Sequence, residues 1–517
     1  MNKNYEGNNS KFNRNENYKT KEFKKPSYKK FIKELKDGDF YEGTVKILRK
    51  IQPGPVIFVM SDGEGIIDGV IKNSEFNVDD IVKISGRVEE RSDKLQVEIK
   101  SIQKSDIDFD VILRDKSKCK RTCFSIGSNK YDIMRDKFIE VASKIRYAIY
   151  NNQPILIRHH NDSDGINSGL SIEKSCKMLM AKIGINSDYN LYRSPSKAPF
   201  YEVTDVFRDL TLIKRLTDSH GQKKPLILIL DNGSTPEDTF GLKTMQIMGY
   251  ETIVIDHHNP VEITDGKSSV CKYLVAHLNP YLFGFDSNLS AGMLCYEVAR
   301  MVSEDFTNPL APAISGVSDH CEGEEVESYI VNSQKTREEL GKIGVAIDYM
   351  AYHLKFDSGK GVFEEVYTNL ELVEMINNEV CKGVDTQLQS TLPYLRTQEI
   401  NGIIFSYIDL EKYTLRFTYP TPGKVIGMIH DKISEGKEHK AIISIGCLSD
   451  MLIIRATQPV LPVQQIIENL QKKFPDANVD GGGHEMAGSI KFVQAHSDKI
   501  LENVKNQIKE LKLEDSE

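Results

Sequence analysis

Three short apolar runs, each ending directly in acidic and imidazole side chains, constrain the fold of this chain most strongly. The runs lie at 155–157, 226–230 and 252–255, and they continue into the segments RHHNDSDG, DNGS and DHHNP. Short runs with almost no polar residue are typical of strands buried on both faces of a parallel sheet, and helix-length segments separate them here. The sequence therefore predicts an α/β domain built on a parallel sheet.

The polar residues that follow these runs are the first candidates for a functional site. In an open parallel sheet the carboxyl ends of the strands meet at one edge, where ligands bind. We therefore expect one crevice to contain His160, Asp162, Asp164, Asp231, Asp256, His257 and His258. Asp319, in the later segment SGVSDHCEG, is a further acid that would complete the group, with the neighbouring His320 as the alternative ligand.

Such a cluster predicts bound metal. Carboxylates gathered in one buried crevice repel one another, and bound cations compensate for the cost of burying their charge. Mixed carboxylate and imidazole ligands suit divalent ions, and we expect two of them, Mn²⁺ first, with Mg²⁺, Co²⁺ or Zn²⁺ as alternatives. Two ions about 3.5–4 Å apart perform phosphoester hydrolysis in many enzymes. Each segment alone is also compatible with an ordinary turn, so the prediction depends on their joint placement.

A second cluster lies near the end of the chain, in the segment DGGGHEMAG at 480–488. Gly482 and Gly483 would let the backbone approach a ligand closely, and His484 beside them is a candidate phosphate contact. Arg455 follows the apolar run MLII and is suited to forked recognition of a phosphate. We expect these four residues to bind substrate, with a plain glycine-rich turn as the alternative interpretation.

The first hundred residues differ in composition from the rest of the chain. The formal net charge of the chain is −8, but residues 1–32 carry nine basic and three acidic side chains interleaved with Tyr and Phe. This composition predicts a basic disordered tail over 1–38 that either contacts nucleic acid or aids solubility. Five β-rich runs separated by turn residues predict a small barrel over 39–105. It resembles an OB-fold, with an SH3-like barrel or a protein-binding module as alternatives.

The remaining pattern completes the predicted organisation. It comprises an α/β catalytic domain over 125–330, a helical linker over 331–398 and a smaller α/β domain over 399–512. No run approaches the roughly 20 apolar residues of a spanning helix, and the Asn- and Lys-rich start is unlike a secretory signal, so we expect a cytoplasmic protein. Eight scattered cysteines indicate reduced thiols, and Cys119 and Cys123 alone do not have the spacing of a structural zinc site.

The motifs HNDSDG, ILDNGS, IDHH and SDH, in that order and followed by GGGHEMAG, resemble those of the DHH phosphoesterase superfamily with its DHHA1 domain, specifically the RecJ-like nucleases. The resemblance covers about residues 130–510. It implies that one metal is held by His160, Asp162 and Asp231, and the other by Asp164, Asp231, His257 and Asp319. It also implies a catalytic pair in which His258 faces the substrate and Asp256 orients the doublet His257–His258. Arg455 and His484 would be phosphate contacts.

The same resemblance implies a metal-dependent exonuclease that hydrolyses single-stranded DNA or RNA to mononucleotides through a metal-activated water. One alternative is a DHH enzyme acting on short oligonucleotides or cyclic dinucleotides, and another is an inactive replication scaffold. Inactive relatives lose metal ligands, whereas this chain keeps each ligand that we place. Single-stranded nucleic acid and replication or repair proteins are the expected partners. The barrel precedes the catalytic domain here, whereas bacterial RecJ-like enzymes carry theirs after it, so the domain order looks archaeal.

Overall fold

The structure is a computed structural model that describes residues 30–511 except 53, 197, 199, 416, 438 and 485. Most of the predicted basic tail therefore lies outside the described residues. The chain forms two compact units that divide between Lys116 and Ser117. All eight cysteines are free thiols. Within the described ranges, no helix combines the length and apolarity needed to cross a lipid bilayer.

The first unit is a closed barrel of five strands in the order β1-β2-β3-β5-β4. The strands are β1 (Phe40–Ile51), β2 (Val56–Ser61), β3 (Ile66–Ile71), β4 (Ile81–Arg91) and β5 (Lys94–Lys104), followed by helix α1 (Phe109–Ser117). β3 and β5 pair in parallel, and the other neighbours are antiparallel. Alternate residues of β4 point inward, as the period of a strand requires, and Ile32 and Leu35 add to this core. The predicted small all-β barrel is confirmed.

The second unit begins with a sheet of five parallel strands in the order β12-β9-β8-β6-β7. In chain order the strands of this region are β6 (Ile155–His159), β7 (Leu191–Pro195), β8 (Leu226–Leu230), β9 (Glu251–Ile255), the short hairpin β10 (Ile263–Thr264) and β11 (Lys267–Ser268), and β12 (Ala276–Leu278). β6, β8 and β9 are the predicted apolar runs and are buried almost throughout. β7 and β12 are not predicted from the sequence.

Helices cover both faces of this sheet, and we call the sheet with its helices the first lobe, residues 129–318. The helices are α2 (Asn129–Tyr150), α3 (Ser163–Lys182), α4 (Val203–Lys214), α5 (Thr239–Ile247), α6 (Ala291–Val302) and α7 (Leu310–Ser318). α4 and α5 share an apolar cluster with Ile229 and Val254 on one face, and α3 and α6 pack on the other. The spacing of apolar residues predicts a helix from Asn167 to Ile183, but α3 begins four residues earlier, at Ser163, because Asp162 caps it.

Three linker helices, α8 (Glu324–Ser333), α9 (Arg337–Leu354) and α10 (Leu370–Thr391), lead to the second lobe, residues 396–510. Its mixed sheet has the order β13-β14-β15-β16-β18-β17. The strands are β13 (Arg396–Ile400), β14 (Ile403–Asp409), β15 (Ile442–Cys447), β16 (Met451–Ala456), β17 (Asp480–His484) and β18 (Ala487–Lys491), and the helices are α11 (Leu410–Tyr413), α12 (Pro422–Ser434), α13 (Val463–Lys473) and α14 (Ser497–Glu510). α12 covers one face, and α13 and α14 the other. The predicted smaller α/β domain is confirmed.

Candidate metal centre

The residues that directly follow the central strands lie side by side at the carboxyl edge of the sheet. β6 and β8 end in register, as do β8 and β9. The hydrogen-bond ladder continues one residue further, since the His160 amide donates to the carbonyl of Leu230 over 3.2 Å and the Asp231 amide to that of Ile255 over 2.9 Å. His160, Asp231 and Asp256 therefore form one row, as the parallel arrangement predicts.

The segment after β6 turns tightly, so that its side chains reach Asp231. Oδ1 of Asp162 accepts a hydrogen bond of 3.0 Å from the Gly165 amide and caps α3, while Oδ2 lies 2.7 Å from Nδ1 of His160. A Cβ on Gly165 would lie 2.3 Å from the carbonyl oxygen of His160, so this turn requires glycine. Nδ1 of His160 is also 3.6 Å from Oδ2 of Asp231. Two acids and an imidazole thus converge here.

Asp164, in the first turn of α3, is held by the start of α6. Its Oδ2 and Oδ1 accept hydrogen bonds from the backbone amides of Ala291 and Gly292, at 2.9 and 2.8 Å. Unpaired amides and the helix dipole at a helix N-terminus both favour an anion. A Cβ on Gly292 would lie 1.9 Å from Oγ of Ser315 and 2.8 Å from Oδ1 of Asp164, so only glycine permits this close approach.

Asp231 occupies the centre of the cluster. Its backbone has a φ of 57°, in the left-handed region that few residues other than glycine adopt. Its side chain is buried, and Oδ1 accepts no hydrogen bond from any residue that the structure describes. Nε2 of His257 lies 3.4 Å from this oxygen and Nδ1 of His258 lies 3.9 Å from it. A buried carboxylate oxygen without a donor is costly, and a cation is the partner that would satisfy it.

Asp256 fixes both histidines of the doublet. Its Oδ1 accepts the amide of His257 at 2.8 Å and lies 2.7 Å from Nδ1 of His258, and its Oδ2 accepts the amide of Ser234 at 3.1 Å. Nδ1 of His257 lies 2.9 Å from the carbonyl oxygen of Ser287, which leaves Nε2 as the ligand atom of a neutral ring. That nitrogen faces three carboxylates, at 3.7 Å for Asp164, 3.4 Å for Asp231 and 3.4 Å for Asp319.

The possible ligand atoms form three overlapping groups, and within each group all atoms lie within 4.8 Å of one another. The groups are His160, Asp162 and Asp231; Asp164, His257 and Asp319; and Asp231, His257 and His258. The first is one ligand set implied by the motifs, and the second contains three of the four members of the other set. Among the described residues, none of these groups includes His320 or a cysteine.

The electrostatics of the cluster favour a bound cation. Burial, followed by repulsion from Asp231, raises the pKa of Asp164 well above its ordinary value. Burial also raises the pKa of Asp319 to about 6. For His257, burial would lower the pKa, but the charge of Asp319 and its neighbours raises it well above the ordinary value. These groups therefore bind protons more readily than free side chains do, divalent cations would compete with those protons, and the oxygen and imidazole donors suit such ions.

Asn279 supports the centre and was not identified from the sequence. Its Nδ2 donates to Oγ of Ser234 at 2.8 Å and to the carbonyl oxygen of His258 at 2.9 Å, and so joins the segments that follow β8 and β9. His277 contacts the same Ser234 hydroxyl through Nε2 at 2.9 Å. The only sequence signal was an Asn-Pro pair after β12, a three-residue strand too short to predict.

His159 was also missed as a supporting residue. Its Nδ1 lies 2.6 Å from the carbonyl oxygen of His160, and its Nε2 lies 3.1 Å from the guanidinium of Arg193, which also donates to Glu173 over 2.6 Å. Burial lowers the pKa of His159 to about 3, so the ring is neutral. His159 therefore orients the backbone carbonyl of His160.

With this geometry established, comparison with known proteins identifies the family. The chain is 38% identical over 511 residues to the uncharacterised protein MJ1198 of Methanocaldococcus jannaschii, which covers 89% of this chain and 67% of that protein. It also matches the solved DHH domain of PF0399, a member of the s1p family of ribosomal proteins, with 34% identity and a TM-score of 0.75 over 78% of this chain and 97% of that one. The chain belongs to the DHH phosphoesterase superfamily.

The DHH assignment confirms the resemblance read from the motifs. A RecJ exonuclease bound to manganese is a more distant match, at 15% identity and a TM-score of 0.47 over 72% of this chain and 95% of that one. No protein-family model matches the chain.

The predicted substrate-binding residues of this DHH protein lie on neighbouring strands of the second lobe. Arg455 on β16 pairs in register with Ala487 on β18, which pairs with His484 on β17. The glycine-rich segment is thus a strand and not a loop. A Cβ on Gly482 would lie 3.3 Å from Oε1 of Glu237, so β17 lies against the first lobe shortly after the end of β8. Substrate binding by these residues stays a prediction.

Proposed function

We propose that this protein is a metal-dependent phosphodiesterase, a RecJ-like exonuclease that hydrolyses single-stranded DNA or RNA to mononucleotides. The position of Asp231 is the observation that carries this proposal. Its buried carboxylate contacts both the group containing His160 and the group containing His257, and its Oδ1 accepts no hydrogen bond from the described residues. A carboxylate between two sets of ligands is what a bridged pair of cations requires.

We infer two divalent cations, with Mn²⁺ preferred and Mg²⁺ or Co²⁺ as substitutes. His160, Asp162 and Asp231 would hold one, and Asp164, Asp231, His257 and Asp319 the other. Such a pair, when bound, activates a water and stabilises the charge that develops on a phosphate.

The doublet and its aspartate have separate roles in this proposal. Asp256 holds the Nδ1 side of the His258 ring and both backbone amides of the doublet. A role toward a phosphate oxygen therefore falls to Nε2 of His258, which makes His258 the catalytic residue and Asp256 a positioning residue. The amides of α6 hold Asp164 in the orientation in which it faces His257.

The other parts of the chain would bind the strand. In the second lobe, phosphate contacts would come from Arg455, Gly482, Gly483 and His484. The closed barrel, with its parallel pairing of β3 and β5, supports the interpretation as an OB-fold that binds single-stranded nucleic acid. Replication or repair proteins are the partners that fit this activity.

Digestion of end-labelled DNA and RNA strands of graded length, with Mn²⁺ and separately with Mg²⁺, tests the proposal. We expect progressive release of mononucleotides from long single strands and no release by the Asp231→Asn variant. Cleavage confined to di- to pentanucleotides would replace the proposal with an enzyme of short oligonucleotides. Bound Mn²⁺ without hydrolysis of any strand would indicate a scaffold.

A further inference from the structure

One carboxylate joins the start of α3 to the second lobe. Oδ1 of Asp348, on linker helix α9, accepts a hydrogen bond of 2.8 Å from the backbone amide of Ser163. Oδ2 of the same side chain pairs with the ammonium group of Lys424, on α12 of the second lobe. Ser163 is the first residue of α3 and lies between Asp162 and Asp164. The contact therefore reaches the backbone between two proposed metal ligands.

Asp348 is placed where α3 needs an acceptor. The amides of the first helical turn have no partner within the helix, and the dipole there favours a negative charge. Asp162 satisfies the Gly165 amide, and Asp348 satisfies the Ser163 amide. The carboxylate also lies beside a cation that is partly withdrawn from water, since the side chains of Asp348 and Lys424 are 21% and 39% exposed.

Further contacts fix the geometry of both partners. Nζ of Lys424 donates to the hydroxyl of Tyr419 over 3.3 Å and lies 5.3 Å from the centre of its ring. On the other side, α9 approaches the last residue of α7 closely, because a Cβ on Gly344 would lie 2.0 Å from Oγ of Ser318. The Ser318 hydroxyl itself donates to Oγ of Ser163 over 3.1 Å. Little room remains for Asp348 to move without moving Ser163.

We propose that Asp348 and Lys424 are positioning residues, through which the second lobe sets the position of the first turn of α3 and hence of Asp162 and Asp164. This inference rests on the proposed metal centre. It implies that the lobe proposed to bind phosphate also adjusts the ligand geometry of the first lobe. Groups one step removed from metal ligands typically change metal affinity or activity by about 10- to 100-fold when they are lost.

The test compares full-length Lys424→Met, which removes the charge, with Lys424→Arg, which retains it. Lys432→Met is the matched control, because Lys432 is an exposed lysine on the same helix. Three properties are measured: hydrogen exchange of the first-turn amides of α3 in metal-free protein, the affinity for Mn²⁺ alone by titration calorimetry, and kcat and KM on a single-stranded oligonucleotide.

For Lys424→Met we expect faster exchange at Ser163 and a Mn²⁺ affinity lowered by about 10-fold, with kcat falling more than KM rises. Lys424→Arg should restore all three properties, and Lys432→Met should leave them unchanged. Asp348→Asn keeps an acceptor for Ser163 but loses the charge, so its effect on Mn²⁺ affinity should not add to that of Lys424→Met.

A lowered Tm of Lys424→Met with unchanged exchange at Ser163 and unchanged Mn²⁺ affinity would overturn the inference and leave an ordinary link between lobes. If Lys424→Met does not fold, unchanged exchange at Ser163 and unchanged Mn²⁺ affinity in Asp348→Asn would also overturn it. The exchange and Mn²⁺ measurements require no nucleic-acid hydrolysis, so a failure of the exonuclease proposal is recognised separately by an inactive wild-type protein that still binds Mn²⁺.

Discussion

The backbone amide of Gly292 donates a hydrogen bond of 2.8 Å to Oδ1 of Asp164. This bond joins the first residues of α6 to the first turn of α3 across more than a hundred residues of sequence. It orients a carboxylate that faces His257, and it depends on the absence of a side chain at position 292. Packing of two helices therefore sets the geometry of one proposed metal ligand.

Replacement of Gly292 by Ala should damage both stability and metal binding. The added Cβ would overlap the Ser315 hydroxyl and press on Asp164, and overpacking of this kind costs about 1–3 kcal/mol. Urea unfolding and Mn²⁺ titration measure the two effects. Gly341→Ala is the control, because Gly341 lies on helix α9, where Ala is favoured over Gly, and its Cβ would lie 3.8 Å from the nearest atom, Cγ1 of Val317. Equal behaviour of the two variants would contradict the role of Gly292.

The Asp231→Asn variant should be more stable than the wild type without metal and should not be stabilised by Mn²⁺. Without divalent ions it should be more stable, because the change removes one buried negative charge from a repelling cluster. With Mn²⁺ at 100 times its dissociation constant the wild type should gain about 2.7 kcal/mol, and the variant should not. Thermal unfolding without Mn²⁺ measures the difference in stability between the two proteins, and unfolding with Mn²⁺ measures how much each is stabilised. Asp305→Asn, at a 66% exposed side chain, should behave as wild type.

Stability should fall at acidic pH because of His277. Its ring lies between the Ser234 hydroxyl and the Cys271 thiol, and burial lowers its pKa to about 4. The unfolded ring takes up a proton near pH 6.5 and the folded ring does not, so this stabilisation is complete above pH 6.5 and is lost as the pH falls toward 4. The loss amounts to about 3 kcal/mol.

The His277→Gln variant cannot titrate, so the difference in unfolding free energy between it and the wild type should shrink steadily from pH 6.5 to pH 4.5. Urea unfolding in EDTA removes any contribution from metal binding. Two parallel pH curves would show that the folded ring accepts a proton.

Deletion of residues 1–29 should weaken binding to long single strands while leaving dinucleotide turnover unchanged. This segment carries eight basic and three acidic side chains, and its removal leaves every described residue in place. Each lost phosphate contact lowers the slope of log affinity against log salt by about 0.7 for a single strand. Fluorescence anisotropy over a range of salt concentrations gives that slope. An unchanged slope would assign the segment to another purpose, such as solubility.

The buried strands, and the convergence of acidic and imidazole side chains directly after them, could be predicted from the sequence, because both depend on local pattern. β6, β8 and β9 are uniformly apolar, and parallel pairing makes their next residues neighbours. The start of α3 was misplaced, because the segment from Ser163 to Ser168 is polar and resembles a loop. In the structure those residues are buried, and Asp162 caps the helix.

The supporting residues could not be predicted for a related reason. β7 contains Arg193, a buried charge that breaks the apolar pattern, and β12 has three residues. Asn279 and Asp348 act through contacts between segments far apart in sequence, and the spacing of neighbouring residues does not predict such contacts. Tertiary packing decides these positions, whereas periodicity decides the central strands.

The strand order β12-β9-β8-β6-β7 also bears on the biogenesis of the centre. β6 is made first but lies inside the sheet, so it gains both neighbours only after residues 191–195 and 226–230 have left the ribosome. His160 and Asp162 are translated before Asp231, and His257 is translated before Asp319. A nascent chain therefore has the donors of the first proposed set once β8 has been translated, but those of the second set only after α7, so loading of a second cation would be a late event that follows assembly of the sheet.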